Sequence, residues 1–177
     1  MIQNRRITDY DDMSPSAKAS EDADLRQFVS FVIGEQHYCV DIMAVREIKA
    51  WTGTTALPNS PAHIRGVINL RGAIVPVIDL RKRFGQELTE PTPAHVVVIV
   101  AVGDVQNGLL VDGVSDIVTV NRKDIAPIPT MEGEDKNPYF QGLITGQEKL
   151  VAVIALEQLI AQRAGEAPTS SSSAVAA

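Results

Sequence analysis

The chain of 177 residues contains a single cysteine, Cys39. No internal disulfide and no CxxC metal or redox pair can form, so a reducing compartment is expected. Long apolar runs are missing as well. The N-terminal stretch "MIQNRRITDYDD" has nothing of signal-peptide length, and no later stretch approaches the roughly 20 continuous apolar residues of a membrane helix. This predicts a soluble, cytoplasmic protein with no direct membrane insertion. Clustered positive charge is also lacking: 16 Lys and Arg stand against 22 Asp and Glu, for a formal charge of −6. With no basic run longer than "RKR" at 81–83, the phosphate-backbone footprint of a nucleic-acid binder is absent.

The signatures of catalysis are equally scarce. No GxGxxG, Walker or GxSxG pattern occurs. His37 and Cys39 lie two apart in a strand-like stretch and share a face, which with His63 or His95 would begin a metal site. The plainer reading is a strand histidine beside a small buried thiol. Asp41, Glu47, Asp79, Asp112 and Asp116 fall at element ends, where caps and turns favour carboxylates. The expectation is a protein without catalytic residues, metal or cofactor, and not an enzyme. The alternative is a small ligand-binding or enzymatic β-barrel that uses a cleft together with His37 and Cys39.

What remains is one apolar body, 27–162, between a flexible acidic N-terminal tail (1–26) and a Ser/Ala-rich disordered tail (163–177), both too poor in large apolar side chains to offset the entropy of ordering. Its periods are mostly those of strands: "FVSFVIG" (28–34), "HYCVD" (37–41), "GVINL" (66–70), "AIVPVIDL" (73–80), "HVVVIVAV" (95–102), "GLLVDGV" (108–114) and "KLVAVIAL" (149–156). Helical candidates are few: "DIMAVREI" (41–48), "SPAHIRG" with Pro61 in a first-turn position, "DLRKRF" (79–84) and "ALEQLIAQR" (155–163).

An internal repeat organises this body. "FVSFVIG" matches "VVVIVAVG", "VDIMAVREI" matches "VDGVSDI", and "LPNSP" matches "APIPT". Pro61, Ile64 and Gly66 find counterparts in Pro138, Phe140 and Gly142, and "VPVIDLRKRF" meets "VAVIALEQLI". Each half has a length at which a lone core is marginal. The predicted fold is therefore mainly β: two pseudo-repeated five-stranded barrels on a shared core, with short helices and a C-terminal helix. The first barrel spans about 27–88 and the second about 89–162, with strands open to exchange at the boundaries. A seam between them is the natural partner site.

Arg71, Gly72 and Pro76 do not recur in the second half. Pro76 gives no N–H to a ladder, so its strand is expected at an edge or at a crossing between sheets. Arg71, in "NLRG", reads either as a surface turn arginine or as a fork-shaped donor for a carboxylate at an interface. Glu47, in "VREI", is one candidate partner for it. Val45 and Ile48 read as core, with one of them at a seam edge able to anchor a partner helix.

The segments "FVSFVIGEQHYCVDIMAVREI", "LPNSPAHIRGVINLRGAIVPVIDLRKRFG", "LLVDGVSDIVTV" and "GLITGQEKLVAVIALEQLI" resemble the CheW family of bacterial chemotaxis coupling proteins. The resemblance covers about 28–162. It is most specific where Pro61, Gly66, Asn69, Leu70, Arg71, Gly72, Pro76, Asp79 and Leu80 follow one another. It implies two SH3-like five-stranded barrels and a scaffold without chemistry. It also implies two partners, the cytoplasmic tip of a methyl-accepting chemoreceptor and the regulatory domain of the histidine kinase CheA, with ring-forming contacts among CheW-like domains in membrane-associated arrays. Carried over by motif, the receptor-binding positions are Val45, Glu47, Gly66 and Arg71, with Ile117 in "VSDI" at the seam. Val45 would make an apolar contact, Arg71 and Glu47 polar contacts or mutual orientation, and Gly66 a close backbone approach. No motif marks the kinase-binding residues. The same fold occurs in the receiver-linked adaptor CheV and in CheA itself, both of which need further domains, so a stand-alone adaptor is the expectation.

Overall fold

The computed structural model describes residues 24–130, 137–146 and 148–161. The strands are β1 (Leu25–Ile33), β2 (Gln36–Asp41), β3 (Val45–Ala50), β4 (Ile64–Leu70), β5 (Ala73–Asp79), β6 (Val96–Val102), β7 (Val105–Val111), β8 (Gly113–Asn121), β9 (Ile125–Ala126), β10 (Phe140–Thr145) and β11 (Leu150–Ile154). Two short helices, α1 (Leu80–Arg83) and α2 (Leu156–Ala161), follow β5 and β11.

The strands form two sheets, six-stranded in the order β8-β1-β2-β11-β10-β9 and five-stranded in the order β3-β6-β7-β5-β4. The repeat is real, but its two copies exchange their opening hairpins. β1–β2 joins the C-terminal strands through the parallel pair β2–β11, and β6–β7 joins the N-terminal strands through the parallel pair β5–β7. The boundary expected near residue 88 thus divides the repeat and not the sheets. Each sheet is an open order with two edges, and the edges are drawn together. The chain leaving β3 bridges β4 through Thr55 and Val67, which exchange N–H···O bonds of 2.9 and 2.8 Å. The chain leaving β8 returns as β9 on β10.

Three apolar cores explain the strand sequences. The shared core between the sheets takes Val29, Phe31, Tyr38, Val40, Ile78, Val98, Val100, Leu109 and Val111. Val75, Val77, Val97, Ile99 and Leu110 fill the five-stranded sheet's own interior, and Phe28, Cys39, Ile144 and Val153 that of the six-stranded one. "VVVIVAV" is apolar throughout because alternate residues of β6 serve two different cores.

Several local expectations are corrected. The helix expected over 41–48 is only a 3-10 turn, Ile42–Ala44, capped by the Asp41 carboxylate that accepts from the Met43 N–H; β3 follows at once because 45–50 pairs with β6. "SPAHIRG" does not become helical, since Ile64 already opens β4 on β5. "GLLVDGV" is divided between β7 and β8. α1 forms where expected, with Asp79 as its N-cap. β1 begins at Leu25, two residues before the expected tail boundary, while residues 1–23 and 162–177 lie outside those described. Pro76 sits in β5, between β4 and β7, at a position paired with Val67. It is therefore not on an edge.

Candidate functional site

Glu47 and Arg71 come from opposite edges of the five-stranded sheet. β3 carries a bulge between Val45 and Glu47, where Arg46 is the extra residue: Val45 pairs with Val100 and Glu47 with Ile99. In a regular strand residues 45 and 47 would share a face; the bulge separates them. Val45, half-buried, packs on the shared core. The Glu47 side chain instead points with Ile99 towards the sheet's own interior.

Arg71 stands at the tip of the β4–β5 hairpin. Leu70 pairs with Ala73, leaving a two-residue loop, and both of its residues have positive φ, 51° at Arg71 and 87° at Gly72. This is the pattern of a type I′ turn, which favours Asn-Gly or Gly-Gly. The Asn69 carboxamide steadies it by accepting from the Gly72 N–H at 2.8 Å. An arginine is out of place here by about 1 kcal/mol. Its side chain is 78% exposed, and its Nη2 lies 3.0 Å from Glu47 Oε2. The contact is off the hydrogen-bond axis: Oε2 is shut off from solvent and receives no directed N–H. Charge rather than an aligned bond holds the two, and with an exposed guanidinium the pair contributes at most about 1 kcal/mol. Lys49 Nζ approaches the other oxygen at 4.0 Å. Sequence reasoning missed Lys49, although i, i+2 spacing along a strand was the signal. It also missed Ile74, 66% exposed beside the turn and paired with Asn69.

The remaining positions divide. Gly66 is buried, at φ 141°, and a Cβ there would lie 2.3 Å from Thr55 O. The close approach it permits is that of its own chain, the Thr55–Val67 bridge. Its counterpart Gly142 is also closely approached, though by a side chain and without a positive φ: a Cβ there would meet Ile125 Cγ2 at 2.5 Å and Ala126 O at 3.1 Å, and both glycines follow a bulge. Ile117 lies on β8 in the other sheet, paired with Val29 and 54% exposed. It matches Ile48 of β3, paired with Val98 and 47% exposed. The structure thus joins Glu47 to Arg71, sets Val45 beside them on the opposite face, and places Ile117 on the corresponding edge of the second sheet.

His37 and Cys39 offer no competing centre. Cys39 is fully buried, and desolvation pushes its thiol up to about 12, which keeps it protonated near neutrality. Among the described residues no group of three or more His, Cys, Asp or Glu is arranged to hold a metal ion. Asp112 serves as a staple: it accepts from Arg81 Nη2 and from the Gly34 N–H, both at 2.7 Å, with His95 Nε2 at 3.4 Å. No helix among the described residues is long and apolar enough to cross a membrane.

Residues 27–164 match the model of the CheW-like domain. The chain is 42% identical over 155 residues to a probable chemotaxis protein CheW of Rhizobium etli, covering 88% of this chain and 99% of that protein. It is 39% identical over 142 residues to the chemotaxis protein CheW of Rhizobium meliloti, covering 80% and 92%. The crystal structure of the scaffolding protein TtCheW from Thermoanaerobacter tengcongensis superposes with a TM-score of 0.69 at 33% identity, covering 76% of this chain and 91% of that one.

Proposed function

This chain belongs to the CheW family, and from that premise we propose that it is a cytoplasmic, non-enzymatic adaptor that couples chemoreceptors to the kinase CheA in membrane-associated arrays. One observation carries the reading. Arg71 occupies a turn position that disfavours it, at φ 51°, with its side chain presented to solvent and oriented by Glu47 across the joined edges of the sheet. The fold requires no arginine there, and the corresponding turn of the second half, Gly146 to Lys149, has none. A disfavoured conformation at an exposed cation supports a contact role for it.

In this reading Arg71 meets polar groups on the receptor tip, Glu47 holds it in place, and Val45 and Ile117 supply apolar contact from the two sheets. Gly66 serves the same surface indirectly, by closing the chain behind β4. The regulatory domain of CheA is the second partner, and other CheW-like domains are neighbours in rings. The test is titration of a receptor signalling fragment with wild-type protein and Arg71→Glu. Receptor affinity should fall by about tenfold or more, with thermal stability and kinase-domain binding retained. Unchanged receptor affinity would overturn the assignment.

A further inference from the structure

A recess of about 300 Å³ at one end of the six-stranded sheet is lined by Arg26, Phe28, Arg122, Ile125, Gln141 and Val153. We propose that it receives a segment of this same chain, residues 7–13, with the Tyr10 ring against its apolar side chains and Asp9, Asp11 and Asp12 beside its arginines. Residues 1–23 lie outside those described. Docking of this kind is independent of the adaptor reading.

The described chain begins at this recess. Asp24 is exposed, and its carbonyl accepts from the Arg122 N–H at 2.9 Å, so the preceding residues start beside Arg122. Only residues 14–23 separate Met13 from Asp24. A tether of that length reaches about 35 Å when extended and holds residues 7–13 near the recess at an effective concentration on the order of millimolar. Charge fits as well. No carboxylate lines the recess, and among the described residues Arg122 has no ion-pair partner, while Arg26 is paired with Asp41 at 2.6 Å. Arg122 is thus the cation that an incoming carboxylate meets unpaired. The segment "ITDYDDM" sets three carboxylates around Tyr10, the only aromatic among residues 1–23, with Ile7 and Met13 three residues to either side.

The repeat explains why an aromatic belongs there. In the first half Trp51 donates its N–H to His95 O beyond the last pair of the β3–β6 ladder and packs on the cluster that holds Val77 and Val97. Ile48 opposite Val98 corresponds to Ile117 opposite Val29, which makes Val120, opposite Arg26, the equivalent of Trp51. Phe28 and Val153, the equivalents of Val97 and Val77, line the recess. The first half thus covers this end of its core with an indole, where the second half has only a valine. The Tyr10 ring supplies the aromatic that the second half lacks, and Arg122 is placed to meet both its acidic neighbours and its ring face.

The experiment is methyl NMR of the full chain, isotope-labelled. Wild type should show through-space contacts from the Tyr10 ring to the methyl groups of Ile125 and Val153. Those methyl signals should shift in Tyr10→Ser, a change outside the strands that leaves the fold intact. Arg122→Glu should abolish the contacts, and combining it with Asp11→Lys/Asp12→Lys should restore them. Ile125 and Val153 signals that superimpose in wild type and Tyr10→Ser would overturn the proposal. So would contacts that Arg122→Glu leaves unchanged or that the charge swap does not recover. Contacts found only between differently labelled chains would also overturn it, because the occupant would then be a second copy.

Discussion

Gly66→Ala separates a fold residue from a contact residue. A Cβ at position 66 would stand 2.3 Å from Thr55 O and 2.8 Å from Thr55 C, both backbone atoms that cannot rotate away. Relief requires moving residues 54–55 off β4, which breaks the two bridge bonds between Thr55 and Val67. At about 1 kcal/mol each, with about 1–2 kcal/mol for an L-residue at φ 141°, the loss is about 3–4 kcal/mol. In a chain of this size that lowers Tm by about 10 °C. Urea and thermal unfolding measure the loss, and receptor titration at a temperature where the variant remains folded measures contact. The expected outcome is a large stability deficit with receptor affinity reduced less than by Arg71→Glu. A variant as stable as wild type that no longer binds receptor would refute the reasoning and return Gly66 to the contact surface.

Arg71→Asn places the preferred residue in the type I′ turn and removes only an exposed ion pair. Stability by chemical denaturation should stay level or rise by up to about 1 kcal/mol while receptor binding weakens. Asp79→Ala strands the N–H and hydroxyl of buried Thr89 and uncaps α1, for an expected loss of about 2–4 kcal/mol in urea unfolding. Cys39, with its thiol raised from 9.0 to about 12 by burial, should resist alkylation in the folded protein at pH 8 and react on unfolding. Burial favours its protonated form, so this contribution to stability is intact below pH 9 and lost as pH rises towards 12.

The strands were legible because they are buried on both faces or alternate cleanly, as "VVVIVAV" and "HYCVD" do. The repeat made the two-sheet architecture legible as well. Partner choice was not: that β1–β2 pairs with β11 rather than within its own half depends on tertiary packing, which leaves no local mark. "DIMAVREI" misled because Asp41 caps a single turn, after which Val45 to Ala50 is claimed by pairing with β6. "SPAHIRG" misled in the same way, its Pro61 preceding a strand. At the site, Arg71 stood out because it does not recur. The same comparison gives Gly66 a role in the fold, since it recurs as Gly142, where a Cβ would likewise be crowded, there by the Ile125 side chain rather than by backbone. The bulge that turns Glu47 inward could not be foreseen, because a bulge is set by register with the neighbouring strand.

The most direct test of the adaptor reading is sedimentation of this protein mixed with a receptor signalling fragment and the CheA regulatory domain, singly and together. One ternary species containing all three chains is expected, formed by wild type and lost with Arg71→Glu, which should still sediment with the kinase domain. Mutually exclusive binding of the two partners, or binding of neither, would contradict it.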